Sequence, residues 1–323
     1  MLSHESVLSD VHLRHDANGE ATVFAWLDAA SVVNAPPQSG RDADGDCLVV
    51  RRPRRNELHV HHSLETKLLD VGLQVWRGAL LLGDKLVSDP SLVRDAVVLE
   101  LGAGVGLCGL LAAHLGARSV FLTDVGDSVL GNAQTNVQVN RLHGITRVRC
   151  LDWSEPWHPE KWRGCSKVGE GSSGSKAGEG RLESSFEWCA ADRELLKECT
   201  LVLAADCVYD DALTDSLLDQ LAQILEWLPA HQARALVAIE RRVNFCVDSL
   251  SARAPAVDHF LQGLQARGRL ALRSLPCDFA RAFEYERPKR HMELFELTSQ
   301  PYGTRSELPA SLKRRRSECA AKD

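Results

Sequence analysis

The chain has 323 residues, of which 44% are hydrophobic and 25% charged, proportions that supply a globular core and exclude wholesale disorder. Lys and Arg number 38 against 44 Asp and Glu, a net charge of −6, so the overall basic field of a nucleic-acid binder is missing and direct nucleic-acid binding is not expected. No run of about 18 apolar residues is present to span a membrane, and the opening MLSHESVLSD is not built like a secretory signal; a soluble, intracellular protein is the expectation.

The first 57 residues read as an N-terminal extension, partly disordered. A short apolar piece from Val23 to Val33 gives way to Ala35-Pro36-Pro37-Gln38-Ser39-Gly40 and then to a mixed-charge run ending Arg51-Arg52-Pro53-Arg54-Arg55, a density of turn residues that favours linker over core. His59, His61 and His62 sit in a polar run and read as a solvated strand, not as metal ligands. The ten cysteines form no C-x-x-C pair and are expected to be reduced thiols.

From Leu58 the pattern is regular, and the main domain is expected to cover residues 58–298. The apolar spacing of Val71, Val75, Leu80, Leu81 and Leu82 predicts a helix from Val71 to Val87 with Trp76 inside it. Apolar runs rich in strand formers follow at Ala96 to Leu101, Ser119 to Thr123, Arg147 to Leu151, Leu201 to Ala205 and Leu236 to Ile239. Helical patterns alternate with them at Leu107 to Leu115, Ser128 to Asn140, Ala212 to Leu228 and Ala256 to Ala266. Strands apolar on both faces that alternate with helices call for an α/β fold with a mostly parallel sheet covered on both sides. Arg269 to Leu275 and Met292 to Thr298 are expected to pair antiparallel at its edge. The Gly/Ser-rich stretch 164–185 reads as a flexible insertion, and residues 299–323, with Lys313-Arg314-Arg315-Arg316, as a disordered basic tail.

The chemistry gathers after the first strand of this series. Val97-Val98-Leu99-Glu100-Leu101 runs into Gly102-Ala103-Gly104-Val105-Gly106 and then into a helix. Glycines there let backbone approach a nucleotide closely. The next strand ends at Asp124, placed to accept hydrogen bonds from both hydroxyls of a ribose. Together these point to an adenosine-type cofactor. The glycine spacing departs from the dinucleotide fingerprint, and Glu100 beside the turn would repel a pyrophosphate but attract the ammonium of a methionine moiety. S-adenosylmethionine is therefore favoured over NAD. Trp76, Trp153, Asp206 and Tyr209 can each be read from the residues alone as packing or capping groups.

Asp70-Val71-Gly72-Leu73-Gln74-Val75-Trp76-Arg77-Gly78, ELGAGVGL at 100–107, LTD at 122–124, LDW at 151–153 and ADCVYDD at 205–211, in this order, resemble the family-16 seven-strand protein lysine methyltransferases. The resemblance covers roughly residues 58–297 and implies a Rossmann-like class I methyltransferase fold. It also implies Trp76 over the methionine end of the cofactor, Glu100, Gly102, Ala103 and Gly104 in the cofactor turn, Asp124 at the ribose, Asp152 and Trp153 at the adenine, and Ala205 as a backbone neighbour. Asp206 and Tyr209 match the acidic-x-x-Tyr motif at the mouth of a lysine channel and are the implied catalytic pair, with no metal. The implied partner is a nonhistone, nucleic-acid-binding protein that presents a lysine. The basic cluster in the tail adds an expected nuclear as well as cytoplasmic location. An RNA enzyme of this fold would carry an Asn-Pro-Pro-Tyr type motif where ADCVYD stands; methylation of a small molecule or RNA, and an inactive cofactor-binding module, are the alternatives.

Overall fold

A computed structural model describes residues 6–11, 13, 21–27, 55–161, 186–229, 233–246, 251–288 and 290–300. The expected insertion at 164–185, the basic tail beyond 300 and most of the first 54 residues lie outside them. In chain order the elements are β1 (Ser6–Leu8), β2 (Ala21–Leu27), β3 (Arg55–His61), β4 (Glu65–Lys67), a 3-10 segment (Leu68–Leu73), α1 (Arg77–Ser88), β5 (Val97–Leu101), α2 (Leu107–His114), β6 (Ser119–Asp124), α3 (Asp127–Val139) and β7 (Thr146–Cys150). They continue with α4 (Ala190–Leu196), β8 (Cys199–Ala205), α5 (Asp211–Trp227), β9 (Arg234–Glu240), β10 (Asn244–Cys246), β11 (Ser251–Arg253), α6 (Pro255–Arg267), β12 (Leu270–Leu275) and β13 (Met292–Ser299).

Seven strands form the central sheet in the order β12-β13-β9-β8-β5-β6-β7. The pairs from β9 through β8, β5 and β6 to β7 are parallel, and β13 runs antiparallel to both β9 and β12. This is the seven-strand, mostly parallel sheet with helices on both faces that the alternating pattern predicts. Side chains of β5 alternate between two cores: Val97, Leu99 and Leu101 pack with α5 and α6, whereas Val98 packs with α1, α2 and α3. Such burial on both faces requires the near-continuous apolar strands seen in the sequence.

Local signals set several boundaries. The Asp210 side chain accepts the Leu213 N–H at 2.9 Å and so caps α5. Pro255 opens α6 and Gly268, at φ +59°, closes it. The helix expected from Val71 to Val87 is interrupted: the chain forms a 3-10 turn to Leu73, becomes extended at Gln74 and Trp76, and turns α-helical only from Arg77. The buried Gln74 amide causes the break, donating to the Val7 carbonyl at 2.8 Å and to Thr66 Oγ1 at 2.7 Å. Its backbone is thereby held in a conformation that a helix does not permit.

Upstream of the boundary expected at Leu58, β2 and β3 form an antiparallel pair. Phe24 and Trp26 are buried, and the Phe24 ring meets Phe283 edge-on at 5.3 Å. His59 and His61 lie half-buried on β3, and His62 is buried with Nε2 2.8 Å from Thr22 Oγ1. Cys108, Cys150, Cys199, Cys207 and Cys277 carry free thiols, whereas Cys189 is disulfide-bonded, a departure from the uniformly reduced set expected. No helix among the described residues is long and apolar enough to cross a membrane.

Candidate active site

A cavity of about 560 Å³ opens at the carboxyl ends of β5, β6, β7 and β8, where ligands of open α/β sheets bind. Every residue singled out from the sequence lines it: Trp76, Glu100, Gly102, Ala103, Gly104, Asp124, Asp152, Trp153, Ala205, Asp206 and Tyr209. Its volume falls within the roughly 300–1,000 Å³ usual for small-molecule sites.

The floor is the turn between β5 and α2. Gly102, Gly104 and Gly106 have φ of +59°, +53° and +84°, the left-handed region that favours glycine. A Cβ on Gly104 would lie 2.6 Å from the Gly72 carbonyl oxygen, and one on Gly102 would lie 2.7 Å from Cys207 Sγ and 3.0 Å from the Trp153 ring. The Gly104 N–H donates to Asp124 Oδ2 at 2.7 Å and the Val125 N–H to Asp124 Oδ1 at 2.7 Å. The acid at the tip of β6 therefore orders the loop across from it. Glu100 is 2% exposed; its Oε2 accepts the Gly109 N–H at 2.7 Å, within the first turn of α2, where N–H groups lack helical partners. Burial pushes the Glu100 carboxyl up to about 8, opposed by the Gly109 N–H and Cys108. Asp124 is also raised by burial, against the opposing pull of the Val125 and Gly104 N–H groups.

The second wall follows β8. Asp206 holds φ at +53°, a conformation that Asp tolerates better than most residues. Its Oδ2 accepts the Gly78 N–H at 2.5 Å and its Oδ1 the Glu240 N–H at 2.7 Å, so one carboxylate joins the start of α1 to the end of β9. A Cβ on Gly78 would lie 2.6 Å from Asp206 Cγ, which is why glycine stands there. Burial raises the Asp206 carboxyl, and the Arg242 guanidinium opposes it most. That guanidinium lies 4.7 Å from the centre of the Trp76 ring, a cation-π distance, while Trp76 Nε1 donates to the Val71 carbonyl at 3.0 Å. Tyr209 is 45% exposed and its hydroxyl is pushed up to about 12, chiefly by burial. It stays a neutral phenol.

On the third side, the Asp152 side chain accepts the Ser154 N–H at 2.8 Å and fixes the turn that presents Trp153. Sequence reasoning missed the contribution of the 3-10 segment, which lines the cavity with Leu68, Leu69, Val71 and Gly72. Gly72 was visible in the DVGLQVWRG motif, but its contact with the glycine turn depends on the broken helix. Val125, Val129 and Leu213 also line the cavity and carry no sequence signal beyond apolarity. Among the described residues, no group of three or more His, Cys, Asp or Glu is arranged to hold a metal ion.

Residues 54–164 match a family profile described as lysine methyltransferase. The chain is 31% identical over 315 residues to methyltransferase-like protein 22 of Homo sapiens, covering 80% of this chain and 71% of that protein. It is 32% identical over 310 residues to the Mus musculus protein of the same name, covering 80% and 73%. A protein-lysine N-methyltransferase of Chaetomium thermophilum, EFM3, is 28% identical over 159 residues, covering 49% of this chain and 40% of that protein.

Proposed function

Because the chain belongs to the lysine methyltransferase family that includes methyltransferase-like protein 22, and is thus an S-adenosylmethionine-dependent protein-lysine N-methyltransferase, we propose that its substrate is a nonhistone, nucleic-acid-binding protein and that the cavity residues divide into cofactor and lysine sides. The observation that best supports the division is that one cavity gathers the glycine turn, the acid at the tip of β6 and the Asp206/Tyr209 pair. S-adenosylmethionine supplies a methyl group on a positively charged sulfur, an electrophile for an amine.

On the cofactor side, Gly102 and Gly104 offer backbone that no Cβ obstructs, with Ala103 between them, Asp124 accepts the ribose hydroxyls, and Glu100 faces the methionyl ammonium. Trp76 covers the methionine end, Asp152 and Trp153 receive the adenine, and Ala205 contributes backbone. The fit rests on the shape of the cradle and on acids in its wall.

On the lysine side, Tyr209 walls the channel and Asp206 meets the incoming ammonium. An ionised carboxylate has about four lone-pair sites, and two of those on Asp206 are taken by backbone N–H groups, so room remains for one ammonium. Presenting a neutral lysine at pH 7 costs about 4.6 kcal/mol, from roughly 3.4 pKa units. A charged Asp206 raises the lysine pKa and opposes that step. Asp206 is therefore a binding and orienting group, not the base, and the nearby Arg242 cation works in the direction of deprotonation. Alignment of amine with methyl group is the main catalytic task.

An acidic chain, net −6, with Asp210 and Asp211 beside Tyr209, suits a basic protein partner and repels nucleic acid itself. The Lys313 to Arg316 cluster supports residence in the nucleus as well as the cytoplasm. Tritiated methyl transfer from S-adenosylmethionine into cell extract, with identification of the labelled residue, tests the reading. Label on a lysine of a nonhistone nucleic-acid-binding protein is expected; label on histones or on RNA would overturn it.

A further inference from the structure

Asn132, Asn136 and Asn140 recur at four-residue spacing along α3 and just past its end, which puts three amides on one face of the helix. That face meets the edge of β3 opposite β2. Asn140 Oδ1 accepts the His59 N–H at 2.9 Å while its Nδ2 donates to the His59 carbonyl at 2.6 Å. Asn136 repeats the pattern two residues along: Oδ1 accepts the His61 N–H at 2.7 Å and Nδ2 donates to the His61 carbonyl at 3.1 Å. Asn132 adds a bond to the same carbonyl at 3.0 Å. The helix thus pairs with the strand through side-chain amides, as a neighbouring strand would through its backbone.

Asn136 does one thing more. Its Nδ2 also donates to the Val105 carbonyl at 2.9 Å, and the residue is 0% exposed. Val105 lines the cavity between Gly104 and Gly106, both in the left-handed region. The glycine turn is consequently held from two directions, by Asp124 at the Gly104 N–H and by Asn136 at the Val105 carbonyl. Both hydrogens of the Asn136 amide are in use, and a carboxylate or hydroxyl cannot replace two N–H donors and an acceptor at once.

We propose that Asn136 is a positioning residue of the cofactor site, tying the glycine turn at Val105 to the N-terminal hairpin and making that hairpin a working part of cofactor binding. The proposal rests on the reading that the turn from Gly102 to Gly106 receives S-adenosylmethionine. It separates Asn136 from Asn140, whose side chain bonds His59 and, at 2.8 Å, the Asn136 carbonyl, without touching the turn.

The test compares the full-length wild type with Asn136→Ala, Asn140→Ala and Gly104→Ala, by calorimetry with S-adenosylhomocysteine and by hydrogen exchange of peptides covering residues 102–107. Asn136→Ala is expected to weaken S-adenosylhomocysteine binding about tenfold or more, the worth of roughly one buried hydrogen bond, and to speed exchange in the turn. Asn140→Ala is expected to stay within about twofold of wild type, since its bonds reach His59 and the Asn136 carbonyl but not the turn. Where Asn136→Ala does not fold, Asn136→Gln, which keeps the amide but displaces it by one methylene, carries the same expectation. Equal weakening in the Asn136 and Asn140 variants, or wild-type affinity in the Asn136 variant, overturns the proposal. Wild-type affinity in Gly104→Ala as well would show that the cofactor reading of the turn has failed, and not the role of Asn136 alone.

Discussion

Two regions of the molecule bury a carboxylate almost completely, and they solve the problem in opposite ways. Asp84 on α1 is 0% exposed and its oxygens accept from the Ala282 N–H at 2.6 Å, the Phe283 N–H at 3.2 Å, the Tyr285 hydroxyl at 2.8 Å and the Arg287 guanidinium. Arg287 in turn donates to the carbonyls of Cys277 and Phe279 and stacks 4.8 Å from the Phe279 ring centre. Glu100 on β5 is 2% exposed and has the Gly109 N–H and Cys108, while Asp124 only adds repulsion. No cation contributes among the largest influences on it. A fully paired buried acid is a fastening, here of the 276–288 segment onto α1. A buried acid in a cavity wall, with no cation of its own, holds its proton until a ligand's positive charge favours the ionised form.

The largest expected effect breaks the fastening. Asp84→Ala would leave the Arg287 guanidinium buried and unpaired, together with two backbone N–H groups, at a cost of about 3–5 kcal/mol in stability. Urea unfolding measures that loss, and calorimetry on the folded variant should find S-adenosylhomocysteine affinity within about threefold of wild type. An affinity loss as large as the stability loss would erase the distinction between the two regions.

Asp124→Ala should do the reverse. On the proposed division of the cavity, two charge-assisted hydrogen bonds to a ribose, with the Gly104 N–H that Asp124 holds, amount to about 3 kcal/mol, or roughly a hundredfold weaker binding of S-adenosylhomocysteine. The melting temperature should move far less than in Asp84→Ala. A folded Asp124→Ala protein with unchanged affinity would remove Asp124 from the site.

The smallest effect, taken per pH unit, sharpens the comparison through pH. Folded Glu100 keeps its proton up to about 8, whereas the unfolded chain loses it near 4.5. The folded state therefore binds the extra proton between these values, and its stability falls as pH rises through this window, by at most about 1.4 kcal/mol per unit for one proton. Glu100→Gln should remove that component, so that thermal unfolding without cofactor depends less steeply on pH from about 5 to 8 than in wild type. Parallel profiles for the two proteins would mean that Glu100 is not held protonated by its burial.

The site was legible wherever its geometry is local. β5, the glycine turn and α2 are consecutive, and a positive φ or a Cβ without room is a constraint that only glycine meets, so Gly102 and Gly104 announce themselves. Asp124 does so too, as the last residue of an apolar run. Asp206 was legible as a position but not as a clamp, since the groups it holds, the N–H of Gly78 and of Glu240, lie 128 residues before it and 34 after it. The expected boundary at Leu58 hid β2 for a related reason: one amphipathic strand gains little by itself, and its burial comes from β3, α2 and Phe283.

What the sequence by itself determined is the order of strands and helices, the glycine turn and the acids at strand tips, together with the family to which the chain belongs. The first three depend on side-chain period or on backbone freedom, properties of neighbouring residues, and the family on five short motifs in a fixed order. Only the tertiary structure decided that the helix predicted from Val71 breaks before Trp76, because the Gln74 amide is drawn to the Val7 carbonyl, 67 positions away. It alone decided that Asn136 joins β3 to the glycine turn. A buried amide must find partners wherever the fold brings them, and their distance along the chain leaves no trace in local periodicity.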